Sequence, residues 1–344
     1  MPTPPYDAVL LLSFGGPEKP EDVMPFLRNV VRGRPVPEAR LEAVAEHYMH
    51  FGGKSPIGDQ NRALLAALER HLRAHGPDLP VYWGNRHWHP LLPDALRQIQ
   101  ADGRRRVLAF VTSAFGSDAS CRQYLAAIAA ARQALGPEAP EVDKIRLFFN
   151  HPDFIAAQVA QVQDALAAHG WPPGADYHLS FTAHSIPTAM AEHAGYVAQL
   201  EQSAALVADV LTPQDWSLVY QSRSGPPTQP WLEPDIGAHL QALAAQGVAR
   251  VVVVPLGFVS DHMEVRWDLD IEAKEEAAGL GLDFVRAGTV GTHPRFVQMI
   301  AKLIAERTAG APRQHVGQLP PAPDRCVPGC CAWRPAAAAG RAIC

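Results

Sequence analysis

Three carboxylates stand four residues apart in the last third of the chain. Glu264, Asp268 and Glu272 belong to the stretch VVVVPLGFVSDHMEVRWDLDIEAKEEA, residues 251–277. On a helix this spacing places the three side chains along one face, where like charges repel each other. The pattern therefore indicates either a solvated acidic surface or a path along which a cation or a proton moves.

The position of these acids in the chain favours the second interpretation, a path for a cation or a proton. They follow the apolar run 251–254, which is typical of a strand buried on both faces of a parallel sheet. Ligands of open α/β sheets bind beyond the carboxyl ends of the strands. We therefore expect His262 and Glu264 to lie at the edge of a binding crevice.

A histidine occupies the same kind of position in the motif FTAHSIP, residues 181–187. The imidazole of His184 titrates near neutral pH, so it suits both proton transfer and the binding of a borderline metal. A histidine that forms a structural hydrogen bond at a strand end is an equally open interpretation of this motif alone.

Loops after other predicted strands carry aromatic and basic side chains. Trp231 lies on a proline-rich loop, residues 220–234, where it could form a flat apolar wall or fill the core. Arg28, Arg32 and Arg34 could bind ligand carboxylates in a bidentate manner, or could form a solvated basic turn. Residues 52–56, which include Ser55, and residues 112–116, with Cys121 and Tyr124 on the next helix, are further candidates. The histidines of residues 84–90 give only a weak metal signal.

Apolar runs alternate with amphipathic segments along the chain, which predicts parallel sheets with helices on both faces. Eight such runs could form one barrel or two sheets, and a break at residues 150–152 favours two sheets of four. We predict domains at 1–150 and 151–292, a helix at about 293–308 that returns to the first domain, and a tail at 309–344. The predicted strands are 8–14, 81–84, 107–112, 145–149, 177–181, 218–221, 251–254 and 284–287.

The composition of the chain argues against several classes of protein. The chain has 344 residues, a net charge of −5 and 19% charged residues, which describes an ordinary globular protein and argues against a nucleic-acid surface. No apolar run reaches the length of a membrane span. The first residues contain no basic region of a signal peptide, so we expect a cytoplasmic protein. Dinucleotide, nucleophile-elbow, zinc-protease and CxxC motifs are absent from the sequence.

Five motifs in the same order resemble those of the ferrochelatase family over nearly the full length of the chain. They are LLLSFGGP, FGGKSPI, FTAHSIP, QSRSGPPTQPWLEPD and GFVSDHMEVRWDLDIE. The resemblance is strongest to the bacterial coproporphyrin III ferrochelatases, which lack a membrane-binding lip. It implies the class II chelatase fold, with two Rossmann-like domains that each have a four-stranded parallel sheet flanked by helices. It also implies Fe2+ insertion into coproporphyrin III to form coproheme, and the transfer of this product to a coproheme decarboxylase. We expect a monomer.

The resemblance also assigns roles to individual residues. His184 and Glu264 become the opposed pair at the metal-insertion site, and Asp268 and Glu272 become the relay that leads outward. Some relatives have a tyrosine after the first strand, and this chain has Phe14 there, which offers no oxygen ligand. The residues implied as porphyrin contacts are Ser55, Tyr124, Arg32, Trp231 and Phe14.

Cysteines form a second candidate group. Some ferrochelatases bind a [2Fe–2S] cluster through one internal and three C-terminal cysteines, and Cys121, Cys326, Cys330 and Cys331 supply such a set. Cys344 is a possible substitute for one of them. The alternative is a tail with idle thiols.

Other functions stay open at this point. A protoporphyrin IX ferrochelatase and a chelatase for sirohydrochlorin-type rings would share the fold. A tetrapyrrole carrier without catalysis is the alternative from another class, and the acidic row argues against it because a carrier needs no path for metal and protons.

Overall fold

Two four-stranded parallel sheets form the framework of the described part of the chain, residues 6–172, 174–213, 215–225, 228–326 and 329–331 of a computed structural model. The first sheet has the strand order β2-β1-β3-β4 and the second the order β6-β5-β7-β8. The strands are β1 (Ala8–Ser13), β2 (Val81–Asn85), β3 (Arg106–Val111), β4 (Glu141–Lys144), β5 (His178–His184), β6 (Asp215–Gln221), β7 (Arg250–Val254) and β8 (Asp283–Arg286). This arrangement confirms the predicted class of two parallel sheets.

Helices cover both faces of each sheet. Within the described ranges, two segments are π-helical, Asp118–Arg122 and Asp268–Ala273. The α-helices are α1 (Pro20–Val30), α2 (Glu38–His50), α3 (Ile57–His75), α4 (Leu92–Ala101), α5 (Gln123–Leu135), α6 (Pro152–His169), α7 (Thr188–Glu192), α8 (Tyr196–Leu211), α9 (Ile236–Ala245), α10 (Met263–Trp267), α11 (Lys274–Gly279) and α12 (Pro294–Thr308).

Strand order decides where a ligand can bind. In each sheet the chain runs from the first strand to one side and then crosses to the other, so a switch point lies between β1 and β3 and another between β5 and β7. A crevice opens beyond the carboxyl ends of the strands at such points. Ser13 ends β1 and His184 ends β5, so both follow this rule.

The fourth strand differs from the sequence prediction. The prediction was residues 145–149, but β4 is Glu141–Lys144, at the edge of the first sheet beside β3. An edge strand tolerates charged residues, and three of the four residues of β4 are charged, Glu141, Asp143 and Lys144, so a search for apolar runs does not detect it. Phe148 and Phe149 are buried instead in the core with Phe296 of α12.

Helix α12 and the following segment join the two halves. Helix α12 packs against both α6 and α3, and its Glu306, with 4% side-chain exposure, forms a buried ion pair with Arg146, with 1%. The tail is then held by Asn150, whose Nδ2 donates to Leu319 O at 2.8 Å and whose O accepts from Val316 N at 2.9 Å. The domain limits themselves stay a prediction.

Among the described residues, no helix is both long enough and apolar enough to cross a membrane.

Candidate active site

His184 is fixed at the end of β5 with one ring nitrogen directed to the protein and the other to the cleft. Its Nδ1 lies 2.5 Å from Ser185 O, and its Nε2 lies 3.8 Å from Glu264 Oε1. A carbonyl oxygen only accepts, so Nδ1 carries the hydrogen, and Nε2 of the neutral ring keeps its lone pair. Gly257 makes the neighbouring turn possible, because a Cβ there would lie 2.8 Å from Ala183 Cα.

The acidic row lies along a helix that changes its pitch. Glu264 is in α10, whereas Asp268 begins the π-helical segment that also contains Glu272. Four residues exceed one turn of an α-helix, which has 3.6 residues per turn, and fall short of one wider π turn. The direction of the side chain about the helix axis therefore rotates one way from Glu264 to Asp268 and back again from Asp268 to Glu272. All three carboxylates line the same cleft.

The electrostatic surroundings give the first two carboxylates, Glu264 and Asp268, different pKa values. Burial between the two domains raises the pKa of Glu264, but His184 and His262 outweigh this effect and bring the pKa to about 2. Its side chain is 47% exposed, and the exposed part faces the cleft. Burial lowers the pKa of His184, and the charge and hydrogen bond of Glu264 more than compensate, so the pKa lies above its usual value. The pair is thus biased towards imidazolium and carboxylate.

Asp268 is shifted the opposite way. Burial, with help from the charges of Glu264 and Glu272, raises the pKa of Asp268 to about 7 against the hydrogen bonds that it accepts. Ser222 Oγ donates to Asp268 Oδ2, and Gln221 Nε2 donates to the same oxygen at 3.2 Å. A carboxyl group with this pKa exchanges its proton readily at neutral pH.

The cleft between the domains has a volume of about 1030 Å³, at the upper end of the usual range for ligand pockets. Residues of α1 and α2 form an apolar wall with Phe14. Phe14 packs against His87 with ring centroids 4.5 Å apart. Ser55 and Tyr124 also line the cleft, where the sequence interpretation places them.

Guanidinium groups surround the cleft on more than one side. Arg34 lines it from the loop between α1 and α2, Arg40 from α2, Arg223 from the loop after β6, and Arg86 from the position directly after β2. Arg86 is held by Gln123 Oε1 at 2.8 Å and lies 4.6 Å above the Tyr124 ring. The cleft therefore suits an anionic ligand with several carboxylates.

Two expected porphyrin contacts lie elsewhere. Trp231 is 4% exposed, pairs its backbone with Pro187 and does not line the cleft. It packs so closely under its own loop that a Cβ on Gly225 would lie 2.2 Å from its Nε1. Arg32 is exposed and outside the cleft lining, since the chain turns at Gly33 and brings Arg34 inward instead. Trp231 thus fills the core of its loop, and Arg34 rather than Arg32 lines the cleft; the porphyrin contacts themselves stay predictions.

Sequence reasoning missed a bridge between the two domains at the outer end of the row. His47 of α2 stacks on Trp267 of α10 with centroids 4.0 Å apart and planes inclined by 7°. Trp267 Nε1 in turn donates to Glu272 Oε1 at 2.8 Å. No local pattern could pair residues so far apart in the chain. Arg86 was also missed, although its position after a strand was a usable signal.

The guanidinium of Arg286 contacts the segment that contains Glu264, Asp268 and Glu272 and holds it in place. Arg286 at the end of β8 contacts Asp261 Oδ1 at 3.3 Å and Asp270 Oδ1 at 2.5 Å. Thr289 Oγ1 also donates to Asp261 at 3.2 Å, and the Asp261 N–H donates to Gln60 Oε1 of α3 at 2.8 Å. One network thus fixes both ends of the helix that holds Glu264 and connects it to the first domain.

Four cysteines approach one another behind the Tyr124 wall. Buried Cys121 lies in the π-helical segment, directly after cleft residues 119 and 120, and shares a hydrogen bond with Cys326. This bond lowers the pKa of Cys326 to about 5 and, together with burial, raises that of Cys121. Cys326 also contacts Cys330, and Cys330 Sγ lies 3.8 Å from Cys331 Sγ. Cys344 lies outside the described residues.

Within the described ranges, no three His, Cys, Asp or Glu side chains surround one point closely enough to hold a metal ion. His184 and Glu264 supply two ligands, which suffice for an ion when another molecule supplies the rest. The four thiols contact one another in succession, Cys121 with Cys326, Cys326 with Cys330, and Cys330 with Cys331. A binuclear cluster requires two thiolates for each iron, so pairs of this kind fit its chemistry.

Known proteins resemble this chain over nearly its full length. The family model described as Ferrochelatase matches residues 6–308. The chain is 51% identical to a ferrochelatase of Rhodopirellula baltica, over 99% of this chain and 98% of that protein. It is 51% identical to a coproporphyrin III ferrochelatase of Streptomyces griseus, over 97% of this chain and 96% of that protein.

Among solved structures, SirB from Bacillus subtilis with Fe3+ covers 88% of this chain and 96% of its own, with a TM-score of 0.55 and 11% identity. The sirohydrochlorin chelatase SirB of Bacillus subtilis subspecies spizizenii in complex with cobalt gives a TM-score of 0.50 and 12% identity, over 88% of this chain and 95% of that one. These likenesses confirm the expected class II chelatase fold.

Proposed function

The chain belongs to the ferrochelatase family, and from this premise we propose that it inserts Fe2+ into coproporphyrin III to form coproheme in haem biosynthesis. The observation that carries the proposal is the pairing of His184 Nε2 with Glu264 Oε1 at 3.8 Å inside a cleft that both domains line. The relatives that are named for coproporphyrin III support the choice of ring.

The surrounding guanidinium groups support the same choice. Coproporphyrin III carries four propionates, whereas protoporphyrin IX carries two. Arg34, Arg40, Arg86 and Arg223 line different parts of the cleft, so they can bind carboxylates at several corners of one macrocycle. Sirohydrochlorin is also polyanionic, and the assay below distinguishes it.

Proton removal is the first chemical requirement of insertion, since two pyrrole N–H protons must leave as the metal enters. We assign the first proton to the neutral form of His184, whose Nε2 lone pair faces the cleft. Glu264 raises the pKa of His184, so this neutral form binds a proton more tightly than a free imidazole does, and a ring that is already protonated must first release its proton. The cleft lowers the barrier further if it binds a distorted ring more tightly than a flat ring, because only such differential binding accelerates the reaction.

The two carboxylates take different roles in this proposal. Glu264, with a pKa of about 2, stays ionised and is a poor base, so it suits the removal of water from Fe2+. Asp268, with a pKa of about 7, suits the relay of a proton. Glu272 then continues the path towards the outer end of the row, where Trp267 holds it.

A direct assay tests the proposal. The purified protein is incubated without oxygen with Fe2+ and, in separate reactions, coproporphyrin III, protoporphyrin IX and a sirohydrochlorin-type ring, and the visible spectra are followed. We expect the free-base bands to be replaced by those of the iron complex most rapidly with coproporphyrin III. Binding of the ring without metal insertion would identify a carrier and overturn the proposal. Faster insertion into either other ring would overturn the choice of substrate.

We also propose a [2Fe–2S] cluster on Cys121, Cys326, Cys330 and Cys331, because these thiols contact one another in succession. A bound cluster would supply a one-electron redox centre behind the cleft wall. Iron and sulfide analysis of protein isolated without oxygen tests it, and colourless protein without sulfide would refute it.

The product keeps all four propionates, so a decarboxylase must act before haem is complete, and we propose a coproheme decarboxylase as the receiving partner. Cytoplasmic location and a monomeric state stay predictions of the sequence.

A further inference from the structure

A buried lysine accompanies the cysteines. Lys144 ends β4 and is 8% exposed. It is paired with Ala109 of β3, and Val142, two residues earlier, packs into the core that α5 covers. Side chains two residues apart on a strand share a face, so Lys144 is directed to the side of the sheet where the π-helical segment carries Cys121.

The tail brings the other thiols to the same place. Arg307 Nη1 donates to Lys144 O at 3.4 Å and lies 3.7 Å from Asp324 Oδ1, two residues before Cys326. This contact places the tail beside the end of β4. The positive charge of Lys144 accordingly acts on the thiols of both Cys121 and Cys326.

Lys144 has no carboxylate partner among the described residues; the hydrogen bond of its Nζ is to Ile145 O at 3.0 Å. Its neighbour Asp143 is on the other face, where it accepts from Tyr6 Oη at 2.8 Å and lies near Arg106 and Arg307. A buried ammonium without an anion is strongly unfavourable. The sulfur atoms are the group beside Lys144 that can supply the missing negative charge.

We propose that Lys144 is the counter-charge of an anionic metal–thiolate group held by the four cysteines. This inference rests on the proposed thiolate site and goes beyond it by assigning the residue that sets its charge balance. Four thiolates around an oxidised [2Fe–2S] core give a dianion, and reduction adds one more electron and one more negative charge. A nearby ammonium therefore stabilises the reduced form more than the oxidised form. A single divalent ion would also give a dianion if the four thiols moved together around it, so the same contact would stabilise it.

The test uses three variants of the full chain. Lys144→Met removes the charge at similar length, Lys144→Arg keeps it, and Lys274→Met removes the charge of an exposed lysine on α11 as the matched control. Protein isolated without oxygen is titrated with redox mediators while the electron paramagnetic resonance of the reduced cluster is recorded. We expect Lys144→Met to shift the one-electron equilibrium at least tenfold towards the oxidised form, or about 59 mV. Lys144→Arg and Lys274→Met should shift it much less.

Cobalt binding to metal-free protein gives a second readout that needs no iron–sulfur assembly. We expect Co2+ to bind about tenfold more weakly to Lys144→Met than to Lys144→Arg, as followed by the visible bands of cobalt thiolates. Equal potentials with equal cobalt affinities, or wild-type thiols that bind neither group, would overturn the inference. Cobalt binding without an iron–sulfur cluster would support Lys144 and refute only the cluster. Porphyrin metallation is measured separately, so none of these outcomes is confused with a failure of the chelatase activity.

Discussion

The proton on His184 decides what this residue can do. The carbonyl of Ser185 holds the hydrogen on Nδ1, so Nε2 is the atom that faces Glu264 and the cleft. The ring is thereby prepared to accept a proton or to donate a lone pair at one defined point. The neighbouring carboxylates have different roles, because the protein lowers the pKa of Glu264, which stays ionised, and raises the pKa of Asp268.

His184→Ala should reduce iron insertion by about 10²–10⁴-fold, the usual contribution of a positioned base, while coproporphyrin III still binds. Metallation rates and quenching of porphyrin fluorescence measure the two effects separately. His193→Ala, at an exposed histidine on the same domain, is the control. Near-normal turnover of His184→Ala would remove this residue from the mechanism.

Substitutions along the acidic row should differ in severity. Glu272→Ala should reduce the insertion rate less than Glu264→Ala, because Glu272 lies at the outer end while Glu264 faces His184. Initial rates at several Fe2+ concentrations give the comparison. If the outer substitution proved the more damaging one, the row would not act as a path towards His184.

Asp268 should make stability depend on pH in an unusual direction. Its pKa is about 7 in the folded protein and near 3.8 otherwise, so between these values the folded state binds more protons than the unfolded state. The linkage relation then requires stability to fall as pH rises through this window. Asp268→Asn should remove this loss, so it should gain thermal stability relative to wild type as pH rises, most of all above pH 7, while insertion slows.

Melting temperatures of wild type and Asp268→Asn at a series of pH values check this prediction, with Asp209→Asn at an exposed position as the control. A difference between wild type and Asp268→Asn that does not change with pH would show that the pKa of Asp268 is the same in the folded and unfolded states.

At the scale of the elements, the change from α- to π-helix keeps three acids in line, and Arg286 holds that helix in place. The guanidinium contacts both Asp261, before α10, and Asp270, inside the π-helical segment. These contacts connect strand β8 to α10 and the π-helical segment, which hold the three acids.

Arg286→Ala should lower the free energy of unfolding by about 3 kcal/mol, since it leaves partly buried Asp261 without its guanidinium and Asp270 with Arg266 alone. It should also lower the turnover number more than the affinity for porphyrin, because the acids move while the apolar wall stays. Arg286→Lys should recover part of the stability but little of the alignment, since an ammonium lacks the planar fork. Denaturant titration and steady-state kinetics test this, and an Arg286→Ala enzyme with full turnover would contradict it.

For the whole molecule, α12 connects the halves that form the cleft. Its Glu306 pairs with Arg146, and Arg146 also donates to Gln314 O at 2.8 Å in the following segment. The ion pair therefore fixes both the helix and the start of the tail to the first domain.

Glu306→Ala should lower the free energy of unfolding by about 3–5 kcal/mol, because it leaves a buried guanidinium unpaired. Hydrogen exchange should increase in α12 and in residues 313–320, as measured by mass spectrometry together with urea titration. Arg313→Ala, which removes an exposed partner of Asp324, is the milder control. Unchanged exchange in α12 would mean that apolar packing alone holds the helix.

The sequence by itself determined the eight-strand framework in outline, seven of the strands in place, and the pair His184 and Glu264 as candidates. Such features depend on local patterns: apolar runs mark buried strands, and polar residues after them mark the crevice. The edge strand β4 was not predicted because three of its four residues are charged, which leaves no apolar run.

Only the tertiary structure decided which side chains face the cleft. Trp231 and Arg32 have suitable chemistry, but loop packing and a turn at Gly33 direct them elsewhere, and Arg34, Arg40 and Arg86 line the cleft instead. The stack of His47 on Trp267 and the position of Lys144 among the cysteines likewise join distant parts of the chain. Contacts of this kind result from the packing of whole elements, and no local pattern records them.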